Sequence, residues 1–331
     1  MNESKAMSQI LEEGLSGVSS PGYYQRFLAF VARNPNYSYR NVILILQQCP
    51  GASLTKGIRT WNKYGRGVKA GEKGLRINAC FERDEDKEKQ QSTSLRKKRE
   101  RKADYTFRKV SVFDISQTRA MVGDDAQEPE HAESGCNVAA IPQRDTPDHY
   151  ELMRDLYEVS APNSFQPDKD NPCDVHTFMG RIALGWLRAR CSDREQIEIA
   201  AHSITFIVCR HLGLDTAALG FGGVELCSYD KEQGELEKLL DTIQKTACYF
   251  IDTLDGIREA RRIGYPTDEY FLFTNKKTAM RLFGQGHYVY LVYPGQGELL
   301  AMNKDTLAQY DGPFAVPRDE WFGVRADSLA A

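Results

Sequence analysis

The chain has 331 residues, 41% of them hydrophobic and 27% charged, with a formal net charge of −3. That length accommodates two or three domains with real cores, and the near-neutral balance excludes a global pull toward nucleic acid or membrane, so any charged footprint is local. No run reaches the ~20 apolar residues of a membrane span, and MNESKAMSQILEEGL lacks the apolar core of a signal peptide.

The eight cysteines are scattered without a C-x-x-C pair; they read as reduced core residues of a cytoplasmic protein. In YSYRNVILILQQCPG, Ser38 is a plausible N-cap, Val42, Ile45 and Leu46 share a helical face, and Pro50-Gly51 ends the helix. Between Lys56 and Arg76 come seven basic residues, Lys56, Arg59, Lys63, Arg66, Lys69, Lys73 and Arg76, against one acid, Glu72. Trp61 and Tyr64 are interleaved, with glycines at 65, 67, 71 and 74. Cations displace counterions from a phosphate backbone, exposed rings offer faces for unpaired bases, and glycines permit close approach. The same pattern also describes a solvated basic hairpin with Trp61 in the core.

Two strand-like runs follow, Leu75–Phe81 and Tyr105–Phe113, separated by the polar segment 82–104, which reads as a disordered insertion. Its RKKRERK run (Arg96–Lys102) is a solvated charge cluster or an auxiliary arm. The acidic stretch after Gly123 reads as an interdomain linker over 123–144.

The succession NYSYRNVILILQ, PGA, WNKYGRGVKAGEKGLRI and VFDISQT (Val112–Thr118) resembles the N-terminal domain of ArdC-type antirestriction proteins of conjugative and integrative elements. The resemblance covers roughly residues 20–120. It implies a compact α+β domain that binds single-stranded DNA, with Tyr37, Arg40, Asn41, Arg59, Trp61, Tyr64, Arg66, Lys69, Lys73, Arg76 and Gln117 as the DNA-binding candidates. Asn41 is explained as well by capping, and the glycines by turns.

From about Asp145 to Ile257 the periodicity predicts a mainly helical domain, with two helices meeting at the polar turn near Cys191–Asp193. In the full family this second domain resembles a zinc metallopeptidase. There a His-Glu-x-x-His helix offers two histidines on one face with a glutamate as general base, and a following helix supplies a further glutamate ligand. Here AHSITFIVC (Ala201–Cys209) matches the second helix, and the first falls on Gly180–Leu187. Gly180, Arg181 and Leu184 then replace histidine, glutamate and histidine, and His202 replaces the downstream glutamate. Arg181 would set a fixed positive charge where the metal stood. The expectation is a degenerate peptidase-like domain over 145–257 that binds no metal and no cofactor and is not an enzyme.

Phe271–Trp321 resembles the small YodL-like modules of polyvalent mobile-element proteins, with a helix after Thr274 and a hairpin of HYVYLVY and ELLAM around a PGQG turn. The domains expected are thus 1–122, 145–257 and 258–325, α+β overall. The function expected is a single-stranded DNA-binding accessory protein of a mobile element. Its helical or C-terminal module is available to a protein partner, and no membrane is involved. A metal-dependent peptidase or nuclease with an unorthodox site, or a pure interaction scaffold, are the alternatives.

Overall fold

The computed structural model describes residues 3–82, 105–121, 149–159, 174–189, 191–217, 219, 233–262, 270–273, 276–284, 286–292, 299–301, 310 and 312–317. Of the expected 82–104 insertion, Glu82 ends a strand, while residues 83–104 with the basic run, the 123–144 linker, Thr274 and the PGQG turn lie outside the described residues. The chain divides into two compact units, Met1–Gly17 with Arg40–Ile141, and Val18–Tyr39 with Pro142–Ala331. Its mixture of helices and small antiparallel sheets is the expected α+β class.

The first unit contains helix α1 (Glu3–Val18, through Gly17), helix α3 (Tyr39–Gln48), the short helix α4 (Ile58–Lys63) and strands β1 (Thr55–Lys56), β2 (Arg66–Val68), β3 (Leu75–Glu82), β4 (Tyr105–Asp114) and β5 (Thr118–Ala120). β3 and β4 form the expected antiparallel hairpin, from Leu75 opposite Val112 to Glu82 opposite Tyr105, and β1 joins the far side of β4. Alternation sorts the faces: Leu75, Ile77 and Val112 are buried, while Arg76, Asn78 and Lys109 are exposed. On α3 the expected stripe widens, because Val42 through Leu46 are all buried.

β3 is an edge strand, and α3 closes that edge with two side-chain amides. Asn41 donates to the Asn78 carbonyl at 2.8 Å and accepts from its N–H at 3.0 Å. Gln48 treats Arg76 the same way, at 2.9 and 2.8 Å. Each amide imitates a neighbouring strand, so backbone groups that would otherwise template another chain are satisfied internally.

The second unit is built on helices α2 (Pro21–Arg33), α5 (His149–Val159), α6 (Val175–Arg188), α7 (Arg194–His211) and α8 (Gln233–Arg262). The two helices expected around Cys191–Asp193 are α6 and α7, each started by an aspartate N-cap, Asp174 and Asp193. α7 is buried almost all round, from Ile197 through Cys209 except Glu198 and His202, as befits a central helix. α2, with proline in its first turn, packs on α7. There the Tyr24 hydroxyl donates to Ser203 Oγ at 2.6 Å, and Ser203 passes its own proton to the Ile199 carbonyl at 2.7 Å. On the other side Trp186 of α6 stacks on Tyr249 of α8 with ring centroids 4.7 Å apart.

After α8 come β6 (Tyr270–Phe273), α9 (Lys276–Gly284), β7 (Tyr290–Val292), β8 (Leu299–Ala301) and β9 (Phe314–Pro317), forming a sheet in the order β6-β9-β7-β8. The expected β7–β8 hairpin is present. Leu272, Val292 and Ala315 form its small core, with Tyr270 and Tyr290 packed against it, whereas Tyr288 is 67% exposed.

Candidate functional site

The basic stretch folds into α4, a turn and β2. Trp61, on the inner side of α4, is 1% exposed, and its indole Nε1 donates to the Phe113 carbonyl at 2.9 Å. Of the two roles open to it from sequence, the core is the one the fold gives it, and no base can stack there. Tyr64, one turn later, is 46% exposed and meets Trp61 edge-on at 6.4 Å. Among the described residues of this stretch, the aromatic ring open to solvent is the tyrosine. Gly65 follows it at φ +67°, a backbone that side chains with a Cβ avoid.

Around Tyr64 the cations divide into two groups. Arg59, Lys73 and Arg76 are exposed. Arg66 is half-buried and bound to β5, its Nε donating to Thr118 Oγ1 at 2.8 Å and a terminal nitrogen to the Thr118 carbonyl at 3.2 Å. Lys69 is exposed, with Nζ donating to the Ser116 carbonyl at 2.9 Å. Both hold the loop together while keeping their charge near the surface.

Gln117 serves structure. Its Oε1 accepts from the Asp114 N–H at 3.0 Å, and its Nε2 donates to Glu72 and to the Lys73 carbonyl, both at 2.9 Å. Asp114, which sequence reasoning missed, is the hub of this corner. Its carboxylate accepts from the backbones of Ser53, Leu54 and Ser116 while being 1% exposed. The signal was legible in D-I-S-Q, a capping box with Asp114 at the cap and Gln117 three residues on. Asn41 clamps β3, as described above. Tyr37 lies in the second unit, stacked near Phe30 at 6.4 Å, and Arg40 is exposed at the start of α3.

In the second unit, a cleft of about 470 Å³ between α6 and α7 is lined by Asp174, His176, Thr177, Gly180, Leu184, Glu198, His202 and Thr205, among others. Three of the four replaced positions, Gly180, Leu184 and His202, do come together there. Arg181 does not: it is exposed and not among the lining residues. The expected fixed charge is therefore not in this cleft, because position 181 is rotated off the face shared by 180 and 184. His176, absent from the expected site residues, does line the cleft, one helical turn before Gly180 on the same face.

The donor set does not fit a metal centre. Gly180 and Leu184 bring no ligand atom. His176 Nε2 donates to the Asp215 carbonyl at 2.8 Å, and both Asp174 oxygens accept from Thr177, through its N–H and its hydroxyl. Among the described residues no three His, Cys, Asp or Glu side chains converge to hold an ion. The room remains, since a Cβ at Gly180 would meet only Thr205 Oγ1, at 3.7 Å. Burial, with Asp174 adding to it, pushes the Cys209 thiol up to about 12, which disfavours thiolate chemistry there.

Residues 4–113 match the family model described as the N-terminal domain of anti-restriction factor ArdC. This stretch is similar to ArdC-type N-terminal domains. An uncharacterized protein of Bacillus anthracis is 24% identical over 298 residues, 75% of this chain, and the chain spans about half (50%) of that relative's length. Two crystal structures of the antirestriction ArdC protein from the R388 plasmid are similar. The metal-free form is 17% identical (TM-score 0.33, 65% of this chain and 84% of that one), and the Mn(II)-bound form 15% (TM-score 0.37, 75% and 96%). Scores this low transfer no site geometry. Among the described residues of this ArdC-like stretch, Tyr64 is an exposed ring, with Trp61, Asn41 and Gln117 built into the frame.

Proposed function

We propose that this chain is an antirestriction-type accessory protein of a mobile element that binds single-stranded DNA through its ArdC-type domain. We also propose that its helical unit is a peptidase-like frame without peptidase chemistry. One observation carries the DNA reading: the 46%-exposed Tyr64 sits in a stretch of seven cations whose one carboxylate, Glu72, is engaged by Gln117. An exposed ring among cations suits unpaired bases and phosphates, whereas a groove-reading helix is not part of the arrangement. Titrating matched single- and double-stranded oligonucleotides at two salt concentrations tests this. Tighter binding of the single strand that weakens steeply with salt is expected; equal affinity for both, or no binding at low salt, refutes it.

The rival reading is a metal-dependent enzyme: His176, His202, Asp174 and Glu198 line one cleft, although among the described residues no three such side chains converge to hold an ion. Metal analysis and a melt with and without chelator separate the two. A bound ion stabilises the fold by mass action, so the non-enzymatic reading expects no stoichiometric metal and an unchanged melting temperature. We also propose the C-terminal module as a site of protein contact.

A further inference from the structure

The ribbon of β2 and β5 has two different faces. Opposite residues in an antiparallel pair share a face, and the register sets Val68 against Thr118, Gly67 against Arg119 and Arg66 against Ala120. Thr118 is 4% exposed and Arg66 folds over it, so the Val68–Thr118 pair faces inward. Gly67 and Arg119 therefore face out, and Arg119 is exposed. Met121, whose N–H extends the pairing by donating to the Gly65 carbonyl at 2.7 Å, is 51% exposed and leans over Gly67.

Among the described residues, nothing requires glycine at 67. Its φ is not among the positive ones, and a Cβ there would only touch Met121 Cγ at 3.4 Å, an ordinary contact. The pairing is regular, without a bulge. A strand glycine costs stability and often marks a bulge, a bend or a close approach from outside; with the pairing regular, we read it as a close approach. Gly65 next on this face is also bare, with open space where its Cβ would be.

We infer that this outward strip, Gly65 and Gly67 flanked by Arg119 and Met121, is a seat for the single strand, with Arg119 meeting a phosphate and Met121 lying against a base. The inference rests on the DNA-binding reading above and names residues outside the basic stretch for it. The occupant follows from charge and shape: Arg119 has no acidic residue opposite it on the ribbon, two glycines with the flexible Met121 side chain beside Gly67 leave room for a backbone, and a thioether is a soft, polarisable surface for a flat ring.

The test uses the full chain and a labelled oligothymidylate followed by fluorescence anisotropy. Gly67→Val suits a strand and should keep or raise the melting temperature, while filling the strip and weakening binding by about tenfold or more, the scale of losing a stacked base. Arg119→Gln should flatten the logarithmic salt dependence by about 0.7, one phosphate contact on a single strand. Should Gly67→Val fail to fold, the Arg119 slope decides by itself. If the wild type binds but both variants match it in affinity and salt slope, the seat is elsewhere and the broader reading stands. If the wild type does not bind, both fall.

Discussion

Replacing Trp61 by alanine separates a core residue from a DNA contact. The side chain is 1% exposed and fully enclosed, and truncating a buried tryptophan costs about 3–5 kcal/mol. It also strands the Phe113 carbonyl, which accepts from the indole at 2.9 Å, for about 1–3 kcal/mol more. The sum, about 4–8 kcal/mol, rivals the ~5–15 kcal/mol that holds a domain together, so Trp61→Ala should leave the first unit largely unfolded in a urea or thermal melt. Trp61→Phe retains most of the ring and loses only the donor, so it should cost roughly the hydrogen-bond share, about 1–3 kcal/mol. Its affinity for single-stranded DNA should equal wild type wherever the unit is folded. A Trp61→Ala protein that melts normally yet has lost DNA binding would refute the placement of this ring in the core.

Asn41→Ala and Gln48→Ala should each destabilise the first unit by about 1–3 kcal/mol. Hydrogen exchange should speed up at the amides of Asn78 and Arg76 respectively, with no change in the salt dependence of DNA binding. Gly74→Ala should destabilise by about 1–3 kcal/mol despite the usual advantage of alanine over glycine, because a Cβ there would stand 2.6 Å from Ser111 Cβ; an unchanged melt would contradict that packing. The Thr177 hydroxyl, followed by its N–H, holds the Asp174 carboxyl below its ordinary 3.8. The folded value lies under the unfolded one, so this cap stabilises the second unit above the ordinary carboxylate range and its contribution disappears as pH falls through the folded value. Urea melts at about pH 5 and about pH 3 should therefore show wild type losing more stability on acidification than Asp174→Asn; parallel losses would refute the cap.

Local pattern determined much of this protein. Alternation from Leu75 and from Tyr105 sufficed for the hairpin, because a strand repeats every two residues and needs no partner to be recognised. The helical period around Cys191–Asp193 likewise announced α6 and α7, and the four-residue spacing of His176, Gly180 and Leu184 placed all three on one face of the cleft. Residues 1–37 carried α1 and α2 without drawing attention, since neither helix contains a reactive or motif residue.

What only tertiary structure decided concerns side chains whose role is set by a distant partner. α4 is six residues long, too short for its period to say which side is inner, and Trp61 is buried because β4 brings the Phe113 carbonyl to it across 52 residues. Asn41 reads as a cap or a DNA contact until β3 arrives 37 residues later with an unpaired edge. Arg181 reads as a charge in the cleft until the helix is docked, when one residue's rotation turns it to solvent. A polar or aromatic side chain has the same chemistry in every environment. Which of its possible partners it meets is fixed by the packing of elements remote in sequence, and that packing is where the sequence alone stops.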